Sequence, residues 1–502
     1  MALTMLFFLY YLSSTALSAS IITHLPGFQG PLPFYLETGY VSVDEENGVE
    51  LFYYFIESER NPSEDPLLLW LAGGPGCSGF CGLVFEIGPL KFVTAEYNGS
   101  LPNLVYHPYS WTKVANIIFL DSPVGTGFSF SRKPEGYAVG DISSSMQVYK
   151  FLRKWFVDHA RFLSNSLYIS GDSYAGKVVP VVAEAISKDI EAEQQSSLNL
   201  KIKQSEEEIF INQTKYTRNI LKKFGMENLK SIGTPMSSFA SLIRMKRGYL
   251  IGNPATGLKI DINARVPYAH GVGIISDVLY ESIQRNCEGE DYENPVRAKC
   301  VTKLDVFDKF YSEINDGHIL EPKCVRASPK PGDMIGDRRS LKELELHSPP
   351  PHPDLKCRSY AHFLSYHWAN SNVTRKALHI KKGTVTEWQR CNHDLTYTKD
   401  IPNNTNYHLS LTSKGYHALI YSGDHDLVVP FLGTHAWIRS LNFSVVDEWR
   451  SWHVGGQVAG YTTTYSNNLT FATVRGAGHT APEYKPEECL AMLQRWISSR
   501  PL

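Results

Sequence analysis

Gly171-Asp172-Ser173-Tyr174-Ala175-Gly176 places a serine among small turn residues directly after the apolar run Leu167-Tyr168-Ile169. A serine there can act as a nucleophile. A strand that ends in a sharp turn before a helix holds the hydroxyl clear of the sheet, with helix N-terminal amides behind it. Val178 to Ile190 read as that helix. The usual pattern has glycine two residues after the serine; here Ala175 stands there and Gly176 follows, and alanine is still small enough for close packing. Standing alone, such a hexapeptide is equally a plain glycine-rich turn, so the chain must also supply a base and an orienting acid.

Both follow, in the order Ser, Asp, His used by α/β-hydrolases. The apolar run Ala418–Tyr421 leads into Ser422-Gly423-Asp424-His425-Asp426, a turn with two carboxylates; the residues alone do not choose between Asp424 and Asp426. Phe471–Val474 leads into Gly476-Ala477-Gly478-His479 near the C-terminus. Singly, an Asp-x-Asp turn or a histidine among glycines is ordinary loop chemistry. Three such residues, each after a strand and in this order, point to acyl transfer through a serine ester. The negative oxygen of the tetrahedral intermediate then needs preplaced N–H donors, each worth on the order of a hundredfold in rate. Trp70-Leu71-Ala72-Gly73-Gly74-Pro75-Gly76-Cys77-Ser78-Gly79 allows such close backbone approach, so Gly74 and Tyr174 are assigned the two amides. A phosphate cradle is disfavoured because no Lys-Ser/Thr follows the glycines. The chemistry needs neither cofactor nor metal, and none is expected.

Positioning these groups requires a large scaffold, and 502 residues with 43% hydrophobic and 20% charged content can bury one. The formal net charge of −2 gives no reason to expect a nucleic acid or an anionic membrane as partner. Tyr40–Val43 and Leu51–Ile56 read as an opening hairpin. Leu67–Leu71, Ile117–Leu120, Leu167–Ile169 and Ala418–Tyr421 are fully apolar runs suited to strands buried on both faces. Their alternation with helical segments predicts an α/β fold with a mostly parallel central sheet and helices on both faces. Each run ends in a loop rich in Gly, Pro, Ser or Asp, where open α/β sheets bind their ligands.

The first segment, to about residue 19, is a short apolar stretch followed by small residues and reads as a secretory signal peptide, although it lacks an early Lys or Arg. No later stretch is apolar for long enough to span a bilayer. Asn-x-Ser/Thr sequons at Asn98, Asn212, Asn372, Asn403, Asn442 and Asn468 suit the secretory route. Of eight cysteines no pair shows zinc-knuckle spacing, so bridges are expected in an oxidising compartment. A polar stretch around 203–246 has no strand or helix punctuation, and 325–353 is proline-rich like an exposed linker.

Taken jointly, Leu25-Pro26-Gly27-Phe28, Glu37-Thr38-Gly39-Tyr40, Gly73-Gly74-Pro75-Gly76-Cys77-Ser78, the stretch Asp121–Phe128, Gly171-Asp172-Ser173-Tyr174, Gly252-Asn253-Pro254 and Gly476-Ala477-Gly478-His479 resemble the plant serine carboxypeptidase-like family. The resemblance implies an α/β-hydrolase fold with an inserted cap, and a triad of Ser173, Asp426 and His479. It implies disulfides Cys77–Cys391, Cys287–Cys300 and Cys324–Cys357, leaving Cys81 and Cys489 over. The corresponding division is 1–19 signal peptide, 20–201 core, 202–247 an insertion unusual for the family, 248–357 cap, and 358–502 second core part. The linker at 325–353 lies where some relatives are cut, so a monomer or a disulfide-linked two-chain form is expected, vacuolar or extracellular.

In carboxypeptidases of this family an Asn before the Gly-Gly, a Glu before the nucleophile and a second Glu bind the peptide's C-terminal carboxylate. Here the positions hold Ala72, beside Gly73, then Asp172, and Glu86. A buried carboxylate that loses one partner costs roughly 1–3 kcal/mol, so peptide C-termini should bind poorly. The Gly-Asp-Ser-Tyr form resembles the acyltransferase branch, which moves an acyl group from a 1-O-β-glucose ester to an alcohol. The expected partners are therefore an acyl-glucose donor and an alcohol acceptor. A serine carboxypeptidase and an inactive binding protein on the same fold are the alternatives.

Overall fold

The computed structural model describes residues 19–206, 247–324 and 353–502. The signal-peptide reading, nearly all of the 202–247 insertion and nearly all of the 325–353 linker lie outside them, as does Asn212. Among the described residues a sheet of twelve strands runs through the molecule. Its main path comprises β1 (Ser20–Ile21), β2 (Leu36–Asp44), β3 (Val49–Ile56), β4 (Leu67–Leu71), β5 (Asn116–Leu120), β6 (Leu167–Asp172), β7 (Arg247–Gly252), β8 (His417–Gly423), β9 (Val445–Val454), β10 (Gln457–Tyr465) and β11 (Leu469–Val474). The spatial order is β1-β2-β3-β5-β4-β6-β7-β8-β11-β10-β9, with Phe130–Ser131 paired to β3.

The stretch β5-β4-β6-β7-β8-β11 is parallel, whereas β1-β2-β3 and β11-β10-β9 are antiparallel flanks. The sheet is thus mixed, with its parallel part confined to the centre. The antiparallel pair β9–β10 has no counterpart in the sequence reading. β9 carries charge at Asp447, Glu448 and Arg450 and breaks register three times against β10, so it lacks the apolar runs that marked the other strands.

Side chains of each strand alternate between two cores. Phe52, Tyr54 and Ile56 of β3 join one face with Trp70, Phe119 and Tyr421. Leu51, Tyr53 and Phe55 join the other with helices α1 (Asp141–Asp158) and α2 (Ala175–Glu206). The expected helix therefore begins three residues earlier than Val178 and continues through the 201/202 junction, so residues 202–206 are helical. A third core belongs to the cap: α3 (Leu258–Asn263), α4 (Arg265–Gly271), α5 (Asp277–Asn286) and α6 (Ala298–Glu313). There Val266, Tyr268, Ile283 and Phe307 pack around Leu427 of the core.

The three disulfides named above are formed, and Cys81 and Cys489 are free and buried. Asn98, Asn372, Asn403, Asn442 and Asn468 are exposed. No described helix is long and apolar enough to cross a membrane.

The chain leaving β7 is fixed by Asp261 of α3, whose Oδ2 accepts the Thr256 and Gly257 amides at 2.7 and 3.1 Å. Its Oδ1 has no partner among the described residues. Burial pushes the carboxyl from 3.8 to about 7, against the pull of the Thr256 amide and Lys177. A folded value raised this way contributes stability at acid pH that is lost as pH rises through about 7. Asp261→Asn keeps an acceptor for the amides and removes the titration. Its melting temperature should match the wild type near pH 4 and exceed it near pH 8; an equal deficit at both would contradict this account.

Candidate active site

β6 ends at Asp172, and Ser173 turns the chain into α2 with φ +52°. Such a left-handed residue persists only when its surroundings over-determine it. They do: Ser173 N–H donates to the Gly252 carbonyl at 2.9 Å, and its own carbonyl accepts the Gly176 and Ala255 amides at 2.9 Å. A Cβ on Gly171 would meet the Leu71 carbonyl oxygen at 2.3 Å and the Ala175 Cβ at 2.7 Å. Glycine is required there, and alanine is tolerated at 175 because Gly171 leaves room for it. Gly176 is close-packed as well, against the Ala255 carbonyl.

The neighbouring parallel strands bring up the other groups. β8 leads to Asp426 and β11 to His479, whose Nδ1–H donates to Asp426 Oδ2 at 2.8 Å. Nε2 is left to accept from Ser173 Oγ at 2.7 Å. The fully buried Asp426 also accepts the Val428 and Val429 amides and, at 2.8 Å, the Asn253 side chain. Asn253 sits at φ +44° just past β7, with its Oδ1 accepting the Gly423 amide. This orienting role was not readable from the sequence, since it arises from the turn rather than from spacing. The choice between the two aspartates is now made by distance. Asp424 Oδ1 accepts the Gly476 amide at 2.7 Å and so pins the turn that carries His479.

Gly73 passes directly against the serine: a Cβ there would lie 2.6 Å from Ser173 Cβ and 2.9 Å from the Tyr174 nitrogen. Gly74 follows with φ +118°. Among the described residues neither the Gly74 nor the Tyr174 amide donates to a protein acceptor. The Tyr174 ring is anchored by its hydroxyl to Asp141 at 2.8 Å. Cys77–Cys391 and the Ser78-to-Arg390 and Asn392-to-Gly76 backbone bonds hold this loop from its far side.

Behind the serine lies a buried acidic group. Asp172 Oδ1 accepts the Gly73 amide at 3.1 Å, and Glu86 Oε2 accepts the Trp70 indole at 2.9 Å. Burial raises the Asp172 carboxyl to about 6, moderated by His479 and the Gly73 amide. Burial and then the Asp172 charge push Glu86 up as well. Glu483, which sequence reasoning did not single out, is also raised by burial, with Arg358 pulling the other way. Ala72 is buried at the end of β4 with only a methyl to offer. Burial alone would lower His479, but the charge and hydrogen bond of Asp426 outweigh it and Asp172 adds to them, so its value rises above 6.5.

The parallel centre with antiparallel flanks, and a serine, histidine and aspartate line on three strand ends, define an α/β-hydrolase equipped for covalent acyl chemistry. The chain matches the serine carboxypeptidase family model over residues 26–204 and 240–499. It is 44% identical to Serine carboxypeptidase-like 7 of Arabidopsis thaliana over 100% of this chain and 98% of that one. Identity is also 44% to Serine carboxypeptidase-like 17 of the same plant, covering 97% and 94% of the two chains. The chain belongs to the serine carboxypeptidase family, among its plant carboxypeptidase-like members. A prohormone-processing carboxypeptidase from Saccharomyces cerevisiae shares the fold, with a TM-score of 0.66 at 19% identity over 95% of each chain.

Two substitutions separate the aspartates. Asp426→Asn should lower kcat/KM on an activated ester by about 10⁴ through loss of the correct imidazole tautomer. Asp424→Asn should cost less than about tenfold, the effect of a loosened turn. Equal losses would reject the assignment. In the wild type, activity should fall as pH drops through the raised His479 value, because imidazolium cannot accept the serine proton.

Proposed function

We propose that this protein transfers an acyl group from a 1-O-β-glucose ester to an alcohol through a Ser173 acyl-enzyme. His479 Nε2 takes the Ser173 proton as Oγ attacks the ester carbonyl, with the Gly74 and Tyr174 amides facing the developing oxyanion. The intermediate collapses, the bond to the glucose oxygen breaks, and His479 gives that oxygen its proton. An acceptor hydroxyl then loses its proton to His479 and attacks the acyl carbonyl; the new ester leaves and the proton returns to Ser173.

One observation carries the reading. At the positions where a peptide's terminal carboxylate is bound in the family's peptidases, Ala72 has no donor and Asp172 already uses Oδ1 on the Gly73 amide at 3.1 Å. A specific observation favours the second reading, a serine carboxypeptidase: Glu86 and Asp172 are both raised and, when protonated, can donate to a carboxylate at acid pH. The short Ser173–His479 contact speaks against an inactive binding protein.

The three disulfides and the exposed sequons support passage through the secretory route to the vacuole or cell exterior. Cleavage within 325–352 would leave two pieces joined by Cys77–Cys391 and Cys324–Cys357.

Purified protein should consume an acyl-glucose with a suitable alcohol faster than it cleaves an N-blocked dipeptide; the reverse ranking would reject the transferase reading. Ala72→Asn combined with Asp172→Glu should raise dipeptide cleavage by roughly tenfold or more, as a restored carboxylate partner requires. Ser173→Ala should abolish both reactions.

A further inference from the structure

One short cap segment, 315–321 between α6 and Cys324, reaches the turns that carry both the acid and the base. The Gly317 carbonyl accepts the His479 amide at 2.7 Å, and the Asp316 carbonyl accepts the Leu427 amide at 2.9 Å. Ile319 N–H donates to the His425 carbonyl at 3.1 Å. One strand of cap backbone therefore bonds both the turn that carries Asp426 and the turn that carries His479. These turns come from adjacent strands and meet in the hydrogen bond that orients the base.

His318 lies at the centre of this strap and is buried. Its Nε2–H donates to the Gly476 carbonyl at 3.3 Å, while Nδ1 accepts the Leu320 amide at 3.3 Å. The ring packs between His425 and Tyr484, with centroids 5.1 and 4.8 Å away. Gly478, just before the base, admits no side chain: a Cβ would lie 2.2 Å from the Gly317 oxygen and 2.9 Å from His318 Cβ. The strap's far end is held by Glu321, bonded to Arg358 at 2.6 Å, and Arg358 donates to the Glu483 carbonyl at 3.2 Å. Tyr311 fixes its near end through Asp316 Oδ2 at 2.9 Å.

We infer that the 316–319 strap positions the base, with His318 as the side chain that locks it and the Gly317 carbonyl as the group that holds the His479 backbone. The cap then contributes to the chemical step itself as well as to the shape of the substrate site. This rests on reading Ser173 and His479 as nucleophile and base, and is independent of which acceptor resolves the acyl-enzyme. Loosening the strap lets the imidazole drift from Asp426; of the other carboxyls facing it, Asp172 stays in place at the end of β6, whereas Asp316 belongs to the strap and moves with it. An ångström of misplacement at a reacting group costs on the order of a hundredfold.

The test uses His318→Ala and Gly478→Ala in the full-length protein, with Leu320→Ala, whose side chain is 70% exposed on the same strap, as control. Turnover of p-nitrophenyl acetate and the rate of fluorophosphonate labelling report acyl-enzyme chemistry whatever the natural acceptor. Both variants should lose roughly 10- to 100-fold in kcat and in labelling rate, with KM changed less than about threefold. The acidic limb of the pH profile should move to lower pH, since a base less tightly paired with Asp426 is easier to deprotonate. Leu320→Ala should behave as wild type. Unchanged kcat and labelling would overturn the inference. So would losses that follow a lowered melting temperature or a raised KM while the pH limb stays put, since that pattern marks a merely structural segment. A wild-type protein that neither turns over the ester nor labels would reject the nucleophile reading and this inference with it.

Discussion

The whole site hangs on one strained residue. Ser173 holds a left-handed backbone at the end of β6, a conformation costing on the order of 1–3 kcal/mol for a residue with a Cβ. Three neighbouring segments bear on it. The Gly252 carbonyl from β7 and the Ala255 amide beyond it hold the serine backbone, while Leu71 at the end of β4 closes on Gly171 and Gly73 in the following loop closes on the serine. These contacts need parallel neighbours in register on both sides, which is why the serine follows an interior strand of the parallel run. The same register sets the acid and the base: β8 pairs with β7 and with β11, so Asn253, Asp426 and His479 emerge at the same end of the sheet. Side chains 306 positions apart in sequence meet at 2.7 Å because the sheet leaves them no other place to be.

Electrostatics around this line have two layers. The inner one is fully partnered: Asp426 spends its oxygens on two amides, the Asn253 side chain and the His479 ring. Such a carboxylate orients the base and stabilises the imidazolium without needing to take the proton. The outer layer, Asp172, Glu86 and Glu483, is crowded and raised by burial and mutual repulsion. Like charges packed in a dry site hold protons that an exposed carboxyl would release. The donors and acceptors this layer presents therefore change with pH, and through Asp172 so does the charge beside His479.

What could be read in the sequence follows the same division. The runs Leu67–Leu71, Ile117–Leu120 and Ala418–Tyr421 were legible as strands because burial on both faces makes them continuously apolar. β9 and β10 were not, since a flanking hairpin with one wet face and irregular register carries no such run. The serine, the glycine loop and the histidine turn were legible because tight turns admit few residue types. Asp424 and Asp426, two residues apart in one turn, were separable only through the family resemblance; in the three-dimensional path one pins the loop and the other meets the imidazole. Asn253, Glu483 and His318 act through contacts between segments far apart in sequence, and no local pattern announces such contacts.

The same division separates the residues that hold the reacting line from those that stand beside it. Ser173 and His479 are fixed by strand register and by glycines such as Gly73 and Gly478, whose close backbone approaches leave no room for a Cβ. Ala72 and Asp172 flank those residues but carry none of the strain: Ala72 is buried with only a methyl as side chain, and Asp172 reaches back to the Gly73 amide. That bond has a structural consequence of its own, because it ties the loop directly to the residue preceding the nucleophile. A glutamate, one methylene longer, reaches further from the backbone. Aspartate at 172 therefore exchanges an acceptor that could meet a ligand for one that braces the loop behind the serine.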